Sequence, residues 1–131
     1  MARCEWAIAC VSAETDGAEI SLHRIFQVLQ IQYVPASVSV CCVFGIRGEP
    51  AEVLTLALRL IGPRGEVVPT GEFPRFIEIT FTDVVFHAIM HLQNLELEAG
   101  KYRYQMGIPG TPTAFGTVHF EVVEVPSTAL H

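Results

Sequence analysis

The segment FHAIMH, Phe86 to His91, sets two histidines four residues apart. On an α-helix that spacing stacks the imidazoles one turn apart, with Cβ atoms about 5–6 Å from each other, close enough to share a metal ion. On a β-strand, at about 3.3 Å per residue, the same rings stand about 13 Å apart. Zinc–nitrogen bonds span only about 2.0–2.1 Å, so a strand-borne His87 and His91 cannot hold one ion between them. The surrounding composition selects the strand, because Val85, Phe86 and Ile89 are β-formers and extended segments flank them. That strand turns Phe86, Ala88, Met90 and Leu92 inward and His87, Ile89 and His91 outward. A helix over the same residues would take Asp83 as its N-cap and align Val85, Ile89 and Leu92. One metal arrangement survives extended backbone. His23 lies on the second strand, which in an immunoglobulin-like sheet pairs with the strand before the tyrosine corner. His23 then meets His87 or His91 on an outer face, with Asp83 or Glu78 as a further ligand. The sequence assigns no metal site; His23, His87 and His91 are the candidates, and solvated surface imidazoles are the favoured reading of them.

Other chemistry has less to build on. Ser12, Ser21, Ser37, Ser39 and Ser127 lack the G-x-S-x-G elbow of a nucleophilic serine. Cys41 with His23 is a conceivable thiol–imidazole pair, but no motif marks it. The four cysteines, Cys4, Cys10, Cys41 and Cys42, contain no C-x-x-C. Adjacent Cys41 and Cys42 face opposite sides of a strand. All four are expected as reduced, small apolar residues in or near a core. GIRGEP and GIPGTP lack the Lys-Ser/Thr and following helix of a phosphate loop. The acidic residues Glu14, Asp16, Glu49, Glu52, Glu72, Glu96 and Glu98 fall mostly in turns. The expectation is a non-enzyme with no catalytic residue and no cofactor.

Composition narrows the partners. The chain has 131 residues, half of them hydrophobic and 17% charged, with a net charge of −6. That length suits one domain over residues 1–131, with 126–131 as a short tail. Phosphate binding needs clustered basic residues, whereas here the one lysine, Lys101, and seven arginines are spread along the chain. Nucleic acid and polybasic membrane contact are therefore not expected. MARCEWAIACVS has no continuous apolar block of the kind a secretory signal needs. No run reaches the roughly 18 apolar residues of a membrane span. The expected location is cytoplasmic.

The elements read as strands. Cys4, Trp6, Ile8 and Cys10 share one face, and ETDGAE turns the chain at Asp16-Gly17. The next strand places Ile20, Leu22, Phe26 and Val28 on one face, with Arg24 as an exception and His23 opposite. After Pro35, Val38, Val40, Cys42, Phe44 and Ile46 align. Leu54, Leu56, Leu58 and Leu60 alternate strictly, and GPRGE turns with Pro63 at its second position and Gly65 at positive φ. VVPTGEFP is an irregular crossing, and Ile77, Ile79 and Phe81 mark another strand. Inward parity switches from Leu92 to Leu95 and Leu97, which predicts a β-bulge at Gln93-Asn94. Tyr102, Tyr104 and Met106 then alternate inward, as do Val118, Phe120 and Val122. About eight strands with turn signals every 8–12 residues predict an all-β, immunoglobulin-like antiparallel sandwich. EAGKY, with Gly100 two residues before Tyr102, is similar to the tyrosine corner of such domains, in which the phenol ties the crossing loop to nearby backbone. The antibody Cys…Trp…Cys pattern is absent, since Trp6 lies in the first strand.

In order, the CEWA strand, the DGAEISLHRIF hairpin, a proline before the third strand, LRLIGPRGEVV and LELEAGKYRYQM resemble a family of small bacterial and phage-associated proteins classed as a domain of unknown function. The resemblance covers nearly the whole chain. It implies an immunoglobulin-like sandwich, and it implies no activity and no catalytic residue.

Parity leaves Ile25, Leu29, Val43, Val53, Ile61, Ile89, Val123 and Val125 facing outward. A cluster of these would suit a protein partner or self-association. An edge strand offers a second route, and the final strand, Gly116 to Val125, is a candidate edge. The expected function is a protein-interaction or assembly module. The alternative is a small-ligand or metal-binding sandwich using the outer-face histidines.

Overall fold

The computed structural model describes residues 1–16, 19–32, 36–70 and 76–125, so Gly17, Pro35, Glu72 and the 126–131 tail lie outside the described residues. It has strands β1 (Arg3–Asp16), β2 (Glu19–Phe26), β3 (Val28–Ile31), β4 (Ala36–Arg47), β5 (Val53–Ile61), β6 (Val67–Val68), β7 (Phe76–Thr80), β8 (Val85–Leu97), β9 (Gly100–Gly107) and β10 (Ala114–Glu124). One sheet runs β2-β1-β4-β8 and the other β3-β10-β9-β5-β6, with β7 also paired to β5. In immunoglobulin terms β1, β4 and β8 take the A, B and E positions, and β5, β9 and β10 take C, F and G.

Inward alternation builds the core. Leu56, Leu60, Leu92, Tyr104, Met106, Val118 and Phe120 are all buried between the sheets. Phe44, in the second half of β4, is fully buried against Tyr104, with ring centroids 6.1 Å apart. The predicted bulge is present. Val38 and Val40 pair with Leu95 and Leu92, which leaves one extra residue on β8, and Asn94 adopts φ 55°. The 62–66 turn closes as expected, with Gly65 at φ 80° donating its N–H to the Gly62 carbonyl at 3.0 Å. The Tyr102 hydroxyl donates to the Glu98 carbonyl at 3.0 Å and accepts from the Glu98 N–H at 2.9 Å. That is the hydrogen bonding of a tyrosine corner. Gly100 just before it has φ 144°, and a Cβ there would run into the ring of Pro63.

Three expectations are corrected. The described residues form ten strands, not about eight, because the segment read as one strand from Ile20 to Val28 breaks at Gln27 and crosses between sheets; β6 is the other addition. The second sheet is mixed, since β3 runs parallel to β10. The final strand is an edge only in part: Glu121 to Glu124 are covered by β3, whereas Ala114 to Phe120 pair with β9 alone among the described residues. Arg24, the exception in the pattern of β2, has φ 56°. Across it the strand changes allegiance: Phe26 packs into the main core, whereas Ile20 and Leu22 pack on a second cluster around Cys10, Cys41 and Val43.

Candidate functional site: an open strand edge and a thiol row

The histidine segment is a strand, β8, so His87 and His91 do not stack. Each instead ends a lateral row across the first sheet. Trp6 pairs with Gly45, and Gly45 with His87. The glycine lets the indole lie flat over the strand, since a Cβ at Gly45 would collide with it. The indole and the His87 ring come within 5.8 Å, centroid to centroid. In the second row Cys10 pairs with Cys41, and Cys41 with His91. Cys41 Sγ lies 3.1 Å from His91 Nδ1, and Cys10 and Cys41 belong to one buried cluster. Cys10 and Cys41 are buried, whereas His91 is exposed. Burial pushes both thiols above the ordinary cysteine range. Cys42 turns into the main core, fully buried, and its thiol is driven up further for the same reason.

His23 is not part of this arrangement. β2 pairs with β1 among the described strands, so β1 and β4 separate His23 from β8. Its Nε2 instead sits 3.2 Å from Glu14 Oε1 on the facing strand. The anticipated neighbour relation failed because the strand in the B position is the fourth in the chain, not the second; an N-terminal hairpin and a crossing strand come first. Had β4 been given that position, the pairing of B with E would have set Cys41 beside His91. Among the described residues no group of three or more His, Cys, Asp or Glu is placed to hold a metal ion.

The outward apolar set also differs. Val43 and Ile61 are buried, and Leu29, Ile89, Val123 and Val125 are half-buried. The exposed apolar side chains include Val84, Val85 and Phe86, at 41%, 40% and 36% exposure, around the start of β8. Beyond them β8 is the outermost strand of its sheet. Eleven consecutive residues, Val85 to Leu95, carry no Asp, Glu, Lys or Arg. Other outer strands are blunted in ways natural sheets use: β2 carries Glu19 and the kink at Arg24, β3 has four residues, β6 two and β7 five.

A cleft of about 580 Å³ opens where β2 hands over to β3, lined by Ile25, Phe26, Val28, Lys101, His119 and Glu121 among others. Lys101 and Glu121 face each other across β9 and β10. None of His23, His87 and His91 lines it. Comparison with models of known protein families and with curated proteins finds no match.

Proposed function

We propose that this protein is a non-catalytic assembly module that pairs with a second copy of itself through the open edge of β8. The observation that carries the reading is the long uncharged edge from Val85 to Leu95 beside the exposed Val84, Val85 and Phe86. An unpaired strand edge presents a row of N–H and C=O groups to any extended chain, and charge is the commonest means of refusing one. Here charge is withheld from Val85 to Leu95.

A second copy is self-complementary on this edge. The regular part of β8 runs from Val85 to Gln93, ending at the Asn94 bulge. A two-fold antiparallel pair using all of it centres on Ile89. Directly opposed residues share a sheet face, so Val85 of one copy meets Gln93 of the other, and His87 meets His91. No like charges meet while the imidazoles are neutral. The resemblance to a family of small bacterial and phage-associated proteins implies a sandwich and supplies no catalytic residue to carry over.

Sedimentation velocity tests the reading. Wild-type protein is expected to shift from monomer to dimer across a dilution series. A species that stays monomeric at the highest attainable concentration removes the proposal.

A further inference from the structure

We propose that Cys10 and Cys41 form an oxidisable dithiol, with His91 as the base that takes the Cys41 proton. Three observations carry it. First, the two cysteines are directly opposed on adjacent antiparallel strands and share one buried cluster. Opposed residues have Cα atoms about 4.5–5.5 Å apart, inside the roughly 4.4–6.8 Å window of a disulfide. Second, the His91 imidazole nitrogen is 3.1 Å from Cys41 Sγ, within reach of its proton. Third, the row is open at one end. Ala13, Ile20, Leu22 and Trp6 close over the thiols, while His91 stands in solvent and links Cys41 to water.

The oxidant is hydrogen peroxide, small enough for a buried row. His91 takes the Cys41 proton, and the thiolate attacks one peroxide oxygen. An S–O bond forms, the O–O bond breaks, and the departing hydroxide takes the proton from the imidazole and leaves as water. The Cys10 sulfur then attacks the Cys41 sulfenic acid. An S–S bond forms, and hydroxide leaves with the Cys10 proton as a second water. Two thiols are oxidised and one peroxide is reduced to two waters. Cys42, although next in sequence, is excluded because its side chain enters the opposite face of the strand.

The site needs no second copy, so it stands or falls apart from the assembly reading. The test treats wild-type protein and a His91→Gln variant with hydrogen peroxide, then unfolds them in an alkylating reagent and maps the peptides by mass spectrometry. Wild-type protein is expected to yield a Cys10–Cys41 cross-link lacking two hydrogens, with Cys42 recovered alkylated. The variant is expected to melt at the wild-type temperature and to form the cross-link about a hundredfold more slowly, the low end of what a positioned base contributes. Its rate should follow pH only through ionisation of the Cys41 thiol itself, a change of profile that a purely structural role for His91 would not produce. Recovery of Cys10 and Cys41 as alkylated thiols after exhaustive treatment, or a cross-link through Cys4 or Cys42, would overturn the dithiol. Equal rates in the two proteins would overturn the role of His91.

Discussion

A chain carrying Val85→Lys with Gln93→Lys is expected to be monomeric, and a chain carrying Val85→Lys with Gln93→Glu is expected to dimerise again. Both positions are exposed on the open strand, so neither change touches the core. In the proposed two-fold register residue 85 of each copy faces residue 93 of the other, twice per dimer. Directly opposed charges on paired strands are worth up to about 1 kcal/mol either way. Two such pairs, repulsive in one variant and attractive in the other, separate their dimerisation constants by up to about a thousandfold, at roughly 1.4 kcal/mol per decade. Sedimentation equilibrium reads this directly. The comparison tests register as well as edge: if both variants are monomeric, β8 is involved but the centre at Ile89 is wrong. If both dimerise like wild type, the edge is not the contact.

The second large effect concerns the fold that holds the edge in place. Phe44→Ala is expected to lower unfolding stability by about 3–5 kcal/mol, the cost typical of deleting a large aromatic side chain from a packed core. Phe44 is fully buried on an interior strand, contacts the Tyr104 ring, and lies close to Gly116 of the opposing sheet. Those neighbours belong to different strands and cannot all collapse into the space. Small domains have only about 5–15 kcal/mol to lose. Ile25→Ala, at an exposed position, is expected to change stability by less than about 0.5 kcal/mol. Urea titration of the two variants checks the contrast, and a loss below about 1 kcal/mol for Phe44→Ala would show that β4 does not occupy the centre of the sandwich.

Period-two alternation made much of this architecture legible. Leu54 to Leu60, Tyr102 to Met106 and Val118 to Val122 each bury the residues their parity indicates. Even the bulge at Asn94 announced itself, because an extra residue must switch the parity of every position beyond it. Alternation fixes the faces of a strand and not its neighbours. Lateral pairing is a long-range property, and here it joins Cys41 to His91 and Val28 to Glu121. Hence the thiol row, and the parallel β3–β10 pair that covers the end of the final strand, were not readable, and His23 was assigned the wrong neighbours. The hidden burial of Val43 has the same origin. It lies on the outward face of β4, and what covers it is a hairpin whose kink depends on one residue, Arg24, adopting positive φ. Such a conformation is uncommon for any residue but glycine, and arginine gives no sign of it.

The most direct measurement is amide hydrogen exchange along Val85 to Gln93, taken at low and at high protein concentration. In an edge strand alternate N–H groups point away from the sheet, and only a newly paired strand can protect them. The account predicts that this alternate set exchanges freely in dilute protein and slows in concentrated protein, while the amides bonded to β4 are slow in both. Exchange across β8 that does not change with concentration would contradict it.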